Sequence, residues 1–326
     1  MSFRGEQRGR LAQAGRRELP ITRGRVGAIG SLVVVAAVVL VIVLGSAGGP
    51  SSHSGAPSTP VSTPHSSPGG RTSTATTTAA TQPGTASVPI LVYHVINTQP
   101  AGSSANTALY VPSSDFSSQM QALEANGWHA VTLDQLEAYW TRGTPLGSGK
   151  PIVITFDNGY ASQYTNALPV LKGLGWVAVV NLQLTGLPPS EGGLSDAQIR
   201  GLIAAGWELD TQGLDHTDLT TLDPAQLAND LTTARQMLRS SYGAHVNWFS
   251  YPSGDYNPTV TAAVTAAGYV GATTVNPGWA APQQDRLRLP RLPVTAGTTP
   301  SQLLAEIAAA KSSTSVPPSY SGPGLA

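Results

Sequence analysis

Seven short apolar runs recur along the last two-thirds of this chain, with helical patterns set among them. The runs are Pro89–Ile96, Ile152–Phe156, Val177–Leu182, Trp207–Thr211, Val246–Ser250, Tyr269–Thr274 and Leu287–Leu292. The helical patterns lie near 114–126, 134–142, 161–174, 195–205, 224–241, 258–267 and 300–311. Strands that alternate with helices are joined by crossovers, so they lie parallel under a cover of helices. Seven of them predict an α/β fold with a mostly parallel sheet, which a seven-stranded (β/α) barrel would close. An open doubly wound sheet reads the same way.

The helix boundaries are well marked. Asp223-Pro224, Asn257-Pro258 and Thr299-Pro300 each put a capping side chain before a proline at the first helical position. Ser195 and Gln198 have the spacing of a capping box. Gly127, Gly175, Gly206 and Gly268 follow helical stretches, where a left-handed residue closes the last turn.

The N-terminal third cannot contribute to that core. Seven arginines crowd residues 1–25, read as a basic cytoplasmic tail. Val26–Leu44 carries no charge, and its nineteen residues match the ~30 Å hydrocarbon core of a bilayer. Residues 26–45 are therefore expected to be a single-pass anchor, with the N-terminus inside and the main domain outside. Gly45-Ser46-Ala47 also fits a signal-peptide cleavage site, which would release a secreted protein. Residues 46–87 are nearly all Ser, Thr, Pro, Gly and Ala and bury too little to fold, so they read as a linker. The folded domain is expected over 88–312, with 313–326 a disordered tail.

Outside that arginine cluster and Arg71, ten Lys+Arg face sixteen Asp+Glu, which argues against a nucleic-acid partner. There is no cysteine, which excludes disulfides and thiolate metal sites. Gly147-Ser-Gly-Lys150 resembles the end of a P-loop, but Pro151 stands where a Mg²⁺-binding hydroxyl is required, so no nucleotide is expected. No Gly-x-Ser-x-Gly elbow occurs.

A parallel barrel builds its site at the C-terminal strand ends. Three segments there carry chemistry: Thr155-Phe-Asp-Asn-Gly159, Thr211-Gln-Gly-Leu-Asp-His216-Thr-Asp-Leu219 and Trp248-Phe-Ser-Tyr-Pro-Ser-Gly254. Their order resembles the polysaccharide deacetylase (NodB-homology) family, which has Thr-Phe-Asp-Asp-Gly, then Ser-His-Thr-x-x-His-Pro-x-Leu, then an aromatic/Pro/Gly loop. The resemblance covers about residues 88–296. Val92-Tyr-His94, Gly268-Tyr269 and Leu289-Pro-Arg291 agree with it.

The resemblance implies a seven-stranded (β/α) barrel of polysaccharide deacetylase type and hydrolysis of the carbon–nitrogen amide bond of an N-acetylated glycan; the linker, which holds the domain away from the membrane, points to peptidoglycan or a secreted polysaccharide as that glycan. It implies Asp157 as general base, the Ser253 backbone N–H as oxyanion donor, and a divalent metal at Asn158, Gln212 and His216. Two of those three positions depart from the family: Asn replaces Asp, and Gln replaces His. A neutral amide is a weak zinc ligand. Asp210, on the same strand face as Gln212, and Asp215 are candidates to restore a carboxylate, which would shift preference from Zn towards Mn, Mg or Co. Arg291 is a candidate partner for Asp157. His94, Tyr251 and Trp279 are candidate substrate-binding residues. A glycan-binding pseudoenzyme is the first alternative. A glycosidase using Asp157 with Asp210 or Asp215 is the second.

Overall fold

The computed structural model describes residues 82–103, 106–187, 192–313 and 315–322. The basic segment, the 26–45 run and most of the 46–87 linker lie outside them. Among the described residues no helix is long and apolar enough to cross a membrane.

All seven predicted helices form: α1 (Ser113–Ala125), α2 (Leu133–Arg142), α3 (Leu168–Gly173), α4 (Asp196–Ala204), α5 (Pro224–Tyr242), α6 (Pro258–Ala266) and α7 (Pro300–Ala310). The caps that locate them are present. Asp223, Asn257 and Thr299 accept N–H bonds from the first turns of α5, α6 and α7, and Ser195 with Gln198 closes a capping box on α4. A wider π turn at Gln163–Ala167 leads into α3.

The strands are β1 (Val88–Tyr93), β2 (Trp128–Val131), β3 (Lys150–Asn158), β4 (Val179–Leu182), β5 (Glu208–Thr211), β6 (Trp248–Ser250), β7 (Gly271–Thr273), β8 (Trp279–Ala280) and β9 (Leu292–Pro293). They form one sheet in the order β7-β6-β5-β4-β3-β1-β8, with β2 also on β3 and β9 also on β1. Only the β1–β8 pairing is antiparallel.

The sheet departs from the seven-strand expectation in two ways. β2 and β8 are additional. The run 287–292 is not a continuous strand, because Pro290 and Pro293 have no N–H for a ladder. It is instead a 3₁₀ turn at Arg286–Arg288, a single bridge from Leu289 to Thr273, and the two residues of β9 on β1. Residues 289–293 nevertheless touch β7 at one end and β1 at the other. The architecture is an α/β half-barrel whose open side this segment spans.

The expected disordered tail is also corrected in part. Residues 315–322 return to the domain, where Tyr320 and Tyr256 exchange backbone hydrogen bonds of 3.0 and 2.9 Å. The Tyr256 hydroxyl donates to the Pro317 carbonyl at 2.8 Å.

Alternation along the strands gives each face its own chemistry. One face packs under the helices with Leu91, Tyr93, Ile152, Ile154, Phe156, Val180, Leu182 and Leu209. Phe156 stacks on Trp207 at 5.1 Å, a contact between aromatic rings that fixes β3 against the turn before β5. The barrel interior starts apolar at its floor, with Val88, Ile90, Val153, Val179, Trp248 and Leu289. Towards the C-terminal strand ends the same face becomes polar: Thr155, Asp157, Asn181, Gln183, Asp210, Gln212, Ser250 and Arg291, all buried. Buried polar groups persist only when paired, so this upper layer has to be a network.

Candidate functional site

Asp157 is the hub of that network, at the end of β3. Arg291 donates to both of its oxygens, Nη1 to Oδ1 and Nη2 to Oδ2, each at 2.8 Å. Asn181 Nδ2 donates to Oδ1 at 2.7 Å, and Ser250 Oγ donates to Oδ2 at 2.9 Å. Arg291 is itself held by Thr274 O, Thr155 Oγ1 and Ser250 Oγ. Burial alone would raise the Asp157 pKa, but the fork-to-fork ion pair and the Asn181 bond overcome it and hold the group near about 2. Asp157 is therefore a fixed anion, and the expected pairing with Arg291 is present.

The chain turns sharply where β3 ends. Asn158 has φ 71° and Gly159 φ 92°. Asparagine is among the few side chains that tolerate the left-handed region. A Cβ at position 159 would sit 2.4 Å from Leu182 Cδ2, so glycine is required there. The turn aims Asn158 into the interior. Its N–H donates to Gln212 Oε1 at 3.1 Å, and its Nδ2 donates to Gln183 Oε1 at 2.5 Å. The other side of the cleft is the Pro252–Gly254 turn, where Ser253 has φ 54°. Two of the three left-handed non-glycine residues, Asn158 and Ser253, thus lie in the turns after β3 and β6, and strained backbone of this kind is common at functional sites. No hydrogen bond holds the Ser253 N–H among the described residues.

The cleft beside the Ser253 turn is very small, about 10 Å³, and is lined by His94, Asp157, Gln212, His216, Tyr251, Ser253, Gly254 and Val275. Six residues singled out from sequence therefore converge. Burial lowers the His94 pKa to about 4, and burial also lowers that of His216, so both imidazoles are neutral at pH 7. Tyr251 is a buried wall with its hydroxyl bonded to the Leu287 carbonyl.

Three candidates lie elsewhere. Asp210 does share an interior face with Gln212, but it lies deeper. Its Oδ1 accepts the Trp248 N–H at 2.8 Å, beside the Glu208 carboxylate. Asp215 accepts the Thr217 N–H at 2.9 Å in a local turn and does not line the cleft. Trp279 lies on β8 near the barrel floor, with Nε1 bonded to the Ile307 carbonyl. Neither Asp210 nor Asp215 lines the cleft with Asp157, as a glycosidase pair would require.

Sequence reasoning missed Gln183, Asn181, Ser250 and Gln163. Gln163 Nε2 ties the His94 and Asp157 carbonyls together at 3.0 and 2.7 Å. The available signal was weak: Asn181 and Gln183 interrupt an apolar strand with period two, on one face.

The fit of a divalent metal can be tested on the donors present. Asn158 Oδ1 and His216 Nε2 are buried without partners, and both occupy positions where the family resemblance implies ligands. The three implied ligand positions supply one neutral imidazole and two neutral amides, and His94 adds a second neutral imidazole to the cleft, with no free carboxylate. The nearby carboxylate, Asp157, has its acceptor positions filled. Zinc favours imidazole, thiolate and carboxylate, and harder ions need several charged or carbonyl oxygens. Among the described residues no group of three His, Cys, Asp or Glu could hold a metal ion. The site does not fit a tightly bound divalent ion.

Comparison with known proteins agrees with this placement of the fold. Residues 146–272 match the family model for polysaccharide deacetylase. The chain is 29% identical over 226 residues to YxkH of Bacillus subtilis (strain 168), a polysaccharide deacetylase by name, covering 69% of this chain and 78% of that protein. A 61-residue segment is 39% identical to the poly-beta-1,6-N-acetyl-D-glucosamine N-deacetylase of Escherichia coli (strain K12), covering 19% of this chain and 9% of that one. The structure of the Streptococcus pyogenes deacetylase PplD in complex with acetate superposes with a TM-score of 0.62 at 25% identity, covering 68% of this chain and 99% of that chain.

Proposed function

We propose, for a chain whose residues 146–272 belong to the polysaccharide deacetylase family, that the domain recognises N-acetylated glycan chains and has lost the hydrolytic step of its relatives. The observation that carries this reading is the state of Asp157. A carboxylate offers about four acceptor positions, and Arg291 (twice), Asn181 and Ser250 occupy all four. A general base must reach the proton that it removes, and this one has no position left. The neutral donor set described above removes the second requirement of a metal-assisted hydrolase, a Lewis acid beside the amide carbonyl.

What remains is suited to binding an acetamido group. The Ser253 N–H is a donor for its carbonyl oxygen. His216 lines the cleft, and its Nε2 is an unpartnered polar atom that a bound amide would relieve. The Asp157–Arg291 ion pair acts as scaffold, fixing β3, β6 and the 289–293 segment around the pocket. In this reading the basic N-terminal segment and the 26–45 run form a single-pass anchor that places the domain outside the cytoplasm. Alkaline extraction of membranes, with protease access to the domain from outside, checks that placement.

A second reading keeps the hydrolase, with the unpartnered Asn158 Oδ1 and His216 Nε2 as the remnant of a metal site completed by water or substrate. One experiment separates the two. The full chain and its Asn158→Asp/Gln212→His variant are titrated calorimetrically with Zn²⁺ and Mn²⁺, and acetate release from N-acetylglucosamine oligomers is assayed. The binding reading expects oligomer binding, no metal heat and no acetate release for the natural chain, with metal binding appearing in the variant. Metal-dependent acetate release by the natural chain would sink it.

A further inference from the structure

We infer that the floor of the barrel carries a second glycan site, specific for an acidic polysaccharide whose sugar rings bear carboxylates. A groove of about 560 Å³ lies there, lined among others by Trp128, Lys150, Trp279, Ile307 and Lys311. Trp128 and Lys150 open β2 and β3, and Trp279 opens β8 beside the start of β1. The site is independent of the Asp157 cleft. Lys150 and Asp157 are seven residues apart on one strand, about 23 Å at ~3.3 Å per residue.

The residue usage singles out this groove. The chain has three lysines, Lys150, Lys172 and Lys311, and two of them line it. The chain has six tryptophans. Four of them, Trp140, Trp176, Trp207 and Trp248, are buried, and the two half-exposed ones are both here. Trp128 and Trp279 meet edge to face at 5.9 Å. The Lys150 ammonium lies 5.4 Å from the centre of the Trp128 ring, and the Lys311 ammonium lies 5.2 Å from that of Trp279. No carboxylate lines the groove, and among the described residues neither lysine is in an ion pair. Two uncompensated cations therefore stand on a domain that is otherwise acidic.

Charge complementarity selects an anionic occupant. The indoles select rings, because a sugar's C–H face packs on an aromatic surface and a flexible linear polyanion offers none. A cation over an exposed ring is held only weakly, so each ammonium can exchange its indole contact for a sugar carboxylate. The Asn126 carbonyl, which accepts from Lys150 Nζ at 2.9 Å, keeps that lysine at the rim.

The test uses the full-length chain and a fluorescently labelled hexamer of a hexuronic acid, read by anisotropy. The expected result is saturable binding that weakens with added salt and falls by about tenfold in Lys150→Gln/Lys311→Gln. Lys172→Gln, off the groove, keeps the natural affinity. Trp279→Leu lowers affinity for the hexuronate without changing its salt dependence. All three lysines are exposed, so these changes leave the fold intact, and an unchanged thermal midpoint verifies it. The inference is overturned by absence of hexuronate binding, by undiminished binding in the double variant, or by equal affinity for a neutral N-acetylglucosamine hexamer. Equal affinity for a glycerol-phosphate polymer, which has charge without rings, overturns it too. Because the Asp157 cleft is untouched in every variant, acetamido binding there persists whatever the outcome.

Discussion

Two sets of carboxylates face the interior of this half-barrel and meet opposite fates. Asp157, at the C-terminal end, is held ionised near about 2 despite complete burial. Glu208 and Asp210, at the other end of the interior, are pushed the other way. Burial raises Glu208 to about 7, with the Asp134 charge adding to it, and burial with the neighbouring Glu208 raises Asp210 well above the usual carboxylate range. The difference is the partner. Asp157 faces a guanidinium, whereas Glu208 and Asp210 face each other, with Glu208 Oε1 and Asp210 Oδ2 left without a donor. One proton shared between them satisfies both, as for any like-charged pair at close range. Burial sets the stakes, and the neighbour decides the charge.

The largest expected effect comes from breaking the first arrangement. Arg291→Met leaves a buried, unpaired carboxylate and is expected to cost about 3–5 kcal/mol in urea unfolding. The Asp157→Asn/Arg291→Met double variant should recover part of that loss. If the single variant is as stable as the natural chain, the ion pair is not what holds Asp157.

The second arrangement gives a pH dependence of opposite sign. Glu208 has a folded-state pKa above its ordinary 4.5, so the folded state keeps a proton that the unfolded chain releases. Stability is therefore expected to fall as pH rises from about 4.5 to about 7. Asp157 works in reverse, and its contribution is lost as pH falls from 3.8 towards about 2. Glu208→Gln should shrink the upper slope and stabilise the domain at pH 8 by on the order of 1–3 kcal/mol. Urea midpoints across pH 4–8 measure this, and an unchanged slope in the variant would place the titrating group elsewhere.

Smaller changes sharpen the contrast. Asn181→Ala removes one of four donors to Asp157 and is expected to cost roughly 1–2 kcal/mol. It also frees an acceptor position on Asp157. If the natural chain releases no acetate, gain of slow acetate release in this variant would show that saturation of the carboxylate limits hydrolysis. The smallest effect concerns His94, which should remain neutral down to about pH 4. Its ring carbons in NMR should not titrate between pH 5 and 8.

Much of this was legible in the sequence, because the signals are local. Caps such as Asp223 and Thr299 act within one turn, and the Asp-Asn-Gly and Pro-Ser-Gly turns fix their own geometry. What was not legible depends on register across strands. Asn181 reaches Asp157 because β3 and β4 pair those two residues, and no spacing within either strand encodes that offset. Asp210 lies away from the cleft for the same reason: strand alternation gives its face, but its depth is set by the pairing of β5 with β4 and by the Trp248 N–H. The tail was misread because Ser, Pro and Gly conceal Tyr320, whose backbone alone makes the bridge to Tyr256.

The half-barrel has poles. The polypeptide enters it at the floor, where Gly84 and Ala86 bond to Tyr139 and Trp140 just before β1 begins, and Asp157 lies at the far end of the strands. Anything joined ahead of residue 82 therefore pulls on the pole opposite the cleft. A load applied there runs along β1 and its parallel neighbour β3, so it shears their ladder as a unit instead of peeling the loops around Asn158 and Ser253.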